Sequence, residues 1–447
     1  MAFSGLARAA APGATTYRNE LWGYGPLVAN PQGLLDLPKG FSYRIISRAS
    51  ETMADGYVVP DNFDGMGCFP LGGDRVALVR NHELEPGDRA LGPAGASDAL
   101  EARLRGEAHF GADDTGRPLP GGTTTIVYNL RTGQTEKQYL SLAGTAVNCA
   151  GGITPWGSWL SCEETDLAAG TGLKKDHGWV FEVPARQGGL AVPVPLKAMG
   201  RFRHEAAAVD PRTGIVYLTE DRDDSLFFRF LPSDPKRLAA GGRLQALAVR
   251  DAPNGADTRN WAGKDFAPRQ WREAFWIELG DVESPDDDLR KRGFQAGAAL
   301  FARGEGIHRG AGEYYFTCTS GGAAKIGQIM RYVPSSREGQ ADEKDVPARL
   351  QLFVESSAPT VMDYVDNLTV APWGHLIACE DKSGDDVTNH LKGVTPDGRV
   401  YTLARLNSNT EFAGACFSPD GATLFVNAYA PGRTLAITGP WAQFRSV

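Results

Sequence analysis

Acidic residues and one cysteine stand at matching points of a short recurring pattern. They are Asp64, Cys149, Glu205, Glu305 and Glu411, with Asn367 in the same place in a further copy. Each opens a run of small and apolar residues, reaches a Pro/Gly turn, and returns through a second apolar run to a polar residue. The six copies begin Asp64-GMGCFPLGG, Cys149-AGGITPWG, Glu205-AAAVDPRTG, Glu305-GIHRGAG, Asn367-LTVAPWG and Glu411-FAGACFSPDG. If each copy is a hairpin about a common axis, its first residue stands at one mouth of a central channel. The return strand brings Glu163, Glu220, Glu380 and Asn427 to the same face. Carboxylates crowded within a few ångström repel and are driven to protonate unless cations sit among them. Oxygen ligands suit a hard ion such as Ca²⁺, and a thiolate among them suits iron or zinc. The competing reading is that these acids end strands and pair with nearby arginines.

Other side chains refine the picture. Arg303 lies two residues before Glu305, on the same side of an extended strand. A guanidinium beside cations needs an anion between them, and it matches phosphate oxygens bidentately. A surface salt bridge is the plainer alternative. Asn81-His82-Glu83 ends the second strand of the first unit. His204 adjoins Glu205 and so faces the other side, as packing or support. The chain has only seven His and no paired-His spacing, which argues against a His-built zinc site. Cys68, Cys162, Cys379 and Cys416 read as small core residues, with disulfides left open because the six cysteines are even in number. There is no Walker pattern and no GxSxG elbow.

The elements that must position these residues are strands. Apolar runs are short and turn-bounded, and 54 Gly and 28 Pro suit a turn-rich all-β chain. Third strands are expected at 178–184, 226–232, 328–333 and 399–405. Three or four antiparallel strands repeated six times predict a six-bladed β-propeller with helical and loop insertions between blades. A β-sandwich with long loops is the alternative. The insertion 84–120 reads as a surface excursion. Residues 233–300 are expected to carry helices at RQWREAFWIEL and DDDLRKRGFQAGAALF, and 334–349 a solvated loop. One domain, 21–447, is expected after a disordered segment, 1–20.

Composition closes off other classes. Formal charge is -8 with 46 Lys and Arg against 54 Asp and Glu, which argues against a nucleic-acid partner. No apolar run reaches the length of a membrane span. Residues 1–15 lack the apolar core of a secretory signal. They read equally as the trimmed end of one or as the start of a cytosolic protein.

Several strings together resemble the PhoX family of bacterial alkaline phosphatases. They are NHE (81–83), NCAGGITPWGSWLSCEET (148–165), FRHEAAAVDPRTGIVYLTEDR (202–222), DNLTVAPWGHLIACED (366–381), EFAGACFSPDGATLFVN (411–427) and TLAITGPW (434–441). The resemblance implies a six-bladed propeller with a mixed Fe³⁺ and Ca²⁺ cluster at the channel mouth, acting on small-molecule phosphate esters. It implies that Cys149 is an iron-ligating thiolate, Glu205 and Glu305 iron-binding carboxylates, and Arg303 a phosphate contact. Asp64, Glu83, Glu163, Asp366, Asn367, Glu380 and Glu411 are the calcium candidates. It also implies export to the periplasm or beyond, although no twin-arginine signal is present. A monomer without a membrane partner is expected. A calcium-dependent propeller lactonase or esterase, or a non-catalytic propeller plugged by calcium, are the alternative functions.

Overall fold

The recurring segments fold as antiparallel hairpins. Phe63–Gly72 pairs with Arg75–His82, Asn148–Ile153 with Ser158–Glu163, and His204–Val209 with Val216–Glu220. Gly304–Arg309 pairs with Tyr314–Cys318, Val365–Val370 with Leu376–Glu380, and Phe412–Phe417 with Thr423–Ala428. The first strands of the hairpins lie against one another in a ring, each touching the next and the last touching the first. This computed structural model describes residues 17–444. The expected disordered segment, 1–20, falls mostly outside the described residues. Its last part is bound to the body: Glu20 N–H donates to the Val400 carbonyl at 2.8 Å, and Asn19 Oδ1 accepts from Thr402 N–H at 2.9 Å.

Third strands form where expected, as Val180–Pro184, Phe228–Pro232, Gln328–Val333 and Val400–Leu406. The arrangement is all-β and propeller-like, but the strands make five sheets rather than six. The reason is Trp271–Leu279, expected as helix and found as a strand. It pairs with Gly242–Val249 on one side and Ala348–Glu355 on the other, joining two units into a nine-stranded sheet. Its nine residues are too few to hold a helix unaided, and Trp271, Phe275, Trp276 and Ile277 favour a strand that is paired on both edges. The second expected helix is present as Leu289–Gln295. The 84–120 excursion carries a further helix, Asp98–Arg105, whose first turn is capped by Ser97 Oγ accepting from Leu100 N–H. The 334–349 segment is less solvated than its composition suggests. Glu338 is buried and accepts from Tyr332 Oη at 2.7 Å and Arg229 Nη1 at 2.7 Å. The strand Ser42–Arg48 closes the last sheet against Arg433–Thr438, so an early and a late segment of the chain share one sheet.

Small residues on the first strands follow from this crowding. A Cβ on Gly65 would sit 2.5 Å from Ala150 Cα, and one on Gly152 would sit 2.0 Å from the Ala207 carbonyl oxygen. The ring encloses a channel of about 280 Å³, lined among others by Gly151, Ala206, Ala208, Ile307 and Leu368. Gly152→Ala should therefore destabilise the protein by about 1–3 kcal/mol, as overpacking does. Gly189→Ala, which meets nothing within 4 Å, should be neutral. Denaturant midpoints of the two variants check this, and equal midpoints would show that the ring tolerates a methyl group.

Candidate metal centre

All six hairpins end in the same way at one mouth of the channel. The last residue of each second strand pairs across to the first strand: His82 with Phe63, Glu163 with Asn148, Glu220 with His204, Cys318 with Gly304, Glu380 with Val365, and Ala428 with Phe412. The following residue then donates its N–H to a carbonyl at the entry of the first strand. These bonds are Glu83 to Asn62 (3.0 Å), Glu164 to Val147 (2.8 Å), Asp221 to Arg203 (3.3 Å), Thr319 to Arg303 (3.0 Å), Asp381 to Tyr364 (2.8 Å) and Tyr429 to Glu411 (3.2 Å). The main chain thus repeats the same clasp around the axis, and acidic side chains and one thiol beside it converge at the mouth.

Those side chains form a continuous acidic chain. Ligand atoms of Asp64, Glu83 and Cys149 lie within 4.8 Å of one another; so do those of Cys149, Glu164 and Glu205, and of Glu205, Glu305 and Asp366. Cys149 and Glu205 belong to two of these groups each. Glu411 and Asp381 extend the rim and share a hydrogen bond. Burial favours the protonated form of these carboxyls, and neighbouring carboxylates reinforce it. Glu83 is pushed up to about 7 and Asp366 to about 8, both by burial first. Glu205 is pushed well up by burial and then by Glu305, Asp366 and Glu164. Burial, then Asp64 and Glu205, push the Cys149 thiol up as well.

Glu205 tests whether cations fit. Both of its carboxylate oxygens are buried, and neither has a hydrogen-bond partner among the described residues. Buried carboxylates are ordinarily satisfied, so an unpartnered one between two acidic groups is suited to a positive ion. The oxygen-rich donor set with a single sulfur fits a hard cation alongside a softer one.

Arg303 supplies a positive group at the mouth. Its Nε and Nη2 donate to Asp221 at 2.7 and 3.1 Å, and Nη2 also reaches Glu305 at 2.8 Å. Glu305 above all, then Asp221, holds the guanidinium charged against the cost of burial. The Arg303 backbone is left-handed, with φ +54, a conformation that costs a non-glycine residue roughly 1 kcal/mol or more. Asn62, Val147 and Tyr364, at the equivalent places in other hairpins, are left-handed too.

The structure separates the expected residues into two sets. Asp64, Cys149, Glu205, Glu305, Asp366, Glu83, Glu411 and Arg303 come together at the mouth. Asn367 lines the channel, with its amide nitrogen 3.2 Å from Asp366 and its oxygen accepting from Gly414 N–H. Glu163 and Glu380 do not join the cluster. Glu163 accepts from His177 Nδ1 (2.7 Å) and from the N–H groups of Ala146, Gly178 and Trp179. Glu380 accepts from His390 Nδ1 at 2.8 Å and from Asp363 N–H, with Lys392 Nζ at 3.6 Å. Glu220 faces Arg290, and Asn427 donates to the Asp64 carbonyl. The reason is parity: directly paired residues point to one side of a sheet, so Glu220 shares the side of His204, away from Glu205. The residues one step further, Glu164, Asp221 and Asp381, face the mouth instead. The acidic pairs Glu163-Glu164, Glu220-Asp221 and Glu380-Asp381 were the available signal. His204 packs on Phe202, with ring centroids 3.6 Å apart. All six cysteines are free and buried.

Comparison with known proteins adds the context. The family model of alkaline phosphatase PhoX matches residues 22–432. No curated protein sequence matches the chain. Among solved structures, Pseudomonas fluorescens PhoX in complex with vanadate, a transition state analogue, is similar with a TM-score of 0.68 at 19% identity. That likeness covers 91% of this chain and 96% of the other, and it supports the fold. A gluconolactonase of Xanthomonas campestris is similar over 93% of this chain and 98% of its own at 12% identity, but its TM-score of 0.41 is too low to carry an argument. With a propeller-like frame, an acidic mouth able to hold cations, and a family match spanning nearly all of its length, the chain belongs to the PhoX alkaline phosphatase family.

Proposed function

We propose that this protein is a metal-dependent phosphatase that hydrolyses small phosphate esters, monoesters first and diesters as a further class, at a mixed iron and calcium cluster in the mouth. The observation that carries the reading is Glu205, buried and without a hydrogen-bond partner for either oxygen among the described residues. Cys149, Glu205 and Glu305 would hold iron. Asp64, Glu83, Glu164, Asp366, Asp381 and Glu411 would hold calcium. Bound cations supply neutralisation of the phosphoryl oxygens and stabilise charge on the leaving group. Arg303 contributes a planar donor to an equatorial oxygen, already oriented by Asp221 and Glu305. We read the nine-stranded sheet as two blades joined by Trp271–Leu279, which makes the propeller six-bladed. We also propose a monomer that works in the periplasm or outside the cell. No helix among the described residues is long and apolar enough to cross a membrane.

Treatment with a chelator should abolish turnover of an aryl phosphate, and Ca²⁺ should restore it. Full activity in metal-free protein would sink the reading. Cys149→Ala should lose iron and its visible absorption, as metal analysis and spectra would show. A second expectation follows from the raised carboxyls. Unfolded Glu and Asp titrate near about 4, whereas folded Glu83 and Asp366 do so near 7 and 8. Between those limits these two carboxyls bind more protons in the folded, metal-free state than in the unfolded one, whereas buried His82, His204 and His308, pushed down by burial, bind fewer up to about pH 6.5. Above that pH the carboxyls act unopposed by these histidines, so stability should fall as pH rises from about 6.5 to 8. Denaturant midpoints of chelated protein at both ends of that window test this, and restoring the metals should remove the fall. Arg303→Lys keeps the charge but loses the two-pronged donor. It should lower kcat/KM by roughly 10- to 1000-fold, about 1.4–4 kcal/mol, with thermal stability unchanged. Wild-type turnover would mark Arg303 as only a partner of Asp221.

A further inference from the structure

Arg203 stands where Arg303 stands, one hairpin earlier. Each lies two residues before a clustered glutamate, Glu205 or Glu305. Each offers its main-chain carbonyl to the residue just past the second strand, Asp221 at 3.3 Å and Thr319 at 3.0 Å. The strands that follow them, His204–Val209 and Gly304–Arg309, lie side by side. The two arginines therefore stand at corresponding places on neighbouring hairpins, with a left-handed main chain at Arg303 and not at Arg203. Both act on the same carboxylate, Glu164, opposing the upward push of its burial.

The two arginines differ in how their donors are used. Arg303 is tied to Asp221 and Glu305 by short hydrogen bonds. Arg203 makes a single loose ion pair, Nε to Asp166 Oδ1 at 3.6 Å, and its Nε has no hydrogen-bond partner among the described residues. Asp166 is held more closely by Arg222, at 2.9 Å. The Arg203–Asp166 pair is about one-third exposed on each side, and ion pairs of that kind contribute little to folding. A charged fork beside an acidic mouth, with its donors unspent, is placed to meet an anion. A phosphoryl group carries more acceptor oxygens than Arg303 alone can serve.

We propose that Arg203 is a second substrate-contacting arginine, which binds phosphoryl oxygens beside those met by Arg303. The proposal rests on the phosphatase reading and adds a residue to it. Pairing with two guanidinium groups favours the doubly charged monoester over the singly charged diester, because the second arginine gains most from the second charge. Arg203 thus biases the site toward monoesters and toward inhibition by inorganic phosphate.

The test uses the full, metal-loaded chain with Arg203→Gln, Arg203→Lys and Asp166→Asn. KM and kcat are read for an aryl phosphate and for the corresponding diester, and inorganic phosphate binding is read by calorimetry. Arg203→Gln should weaken phosphate binding and raise the monoester KM by about 10- to 100-fold, the worth of a charged hydrogen bond. The diester KM should move less, and metal content and melting midpoint should hold. Arg203→Lys should recover part of the loss. Asp166→Asn, which releases Arg203 from its loose partner, should leave phosphate binding unchanged or tighter. Unchanged phosphate affinity in Arg203→Gln overturns the proposal. So does an equal loss in Arg203→Gln and Asp166→Asn accompanied by a lower melting midpoint, since that pattern marks a structural pair. If the wild-type chain binds phosphate but hydrolyses neither ester, the phosphatase reading fails, while the calorimetric comparison still decides the role of Arg203.

Discussion

Carboxylates from neighbouring hairpins are buried at one end of a shared axis, where each makes the next harder to ionise. That repulsion organises the rest of the molecule. Asp64, Glu83, Glu164, Glu205, Glu305 and Asp366 are all pushed toward the protonated form. Hydrogen bonds relieve some of them, but Glu205 has none among the described residues. A fold does not assemble such a group for its own stability, because the desolvation it requires opposes folding. The arrangement becomes favourable once positive charge occupies the mouth.

Bringing the acids together requires that the strands carrying them approach closely. The ring leaves no room for a Cβ at Gly65 or Gly152, and alanines fill much of the remaining inner surface. The repeated main-chain clasp past each second strand then sets the height of the side chains at the mouth. Left-handed residues at Asn62, Val147, Arg303 and Tyr364 turn the chain into the inner strands. This strain is held in place by surrounding sheet hydrogen bonds, and it fixes where the reactive side chains begin.

Beneath the cluster lies a second tier of acids with the opposite chemistry. Glu163 is satisfied by His177 and backbone N–H groups, and Glu380 by His390 with Lys392 nearby. Each stands directly before a mouth residue in sequence, yet alternation along the strand sends it between the sheets. One acid of each pair anchors the return of the hairpin, and the next faces the mouth. At the mouth itself, Arg303 couples neighbouring hairpins by bridging Asp221, from one, to Glu305, from the next.

Much of this was legible in the residues themselves. The recurring apolar runs and Pro/Gly turns determined the hairpins, and the first-strand positions of Asp64, Cys149, Glu205 and Glu305 placed one wall of the site, because strand alternation is a local property. On the return strands the acid that faces the mouth lies one residue beyond the one that the repeat pattern indicates. Glu163 and Glu164 are equally acidic, and only the cross-strand pairing of Asn148 with Glu163 decides which one faces inward. Trp271–Leu279 was likewise undecided locally: its nine residues could lie in either a helix or a strand, and the edges offered by Gly242–Val249 and Ala348–Glu355 settled it. The repeat, the small-residue axis and the kinds of ligand available follow from the order of residues alone. The tertiary structure decided which acid of each pair meets the mouth, how the sheets join, and that Arg203 and Arg303 stand on neighbouring strands, because pairing register and convergence on an axis depend on residues far apart in the chain.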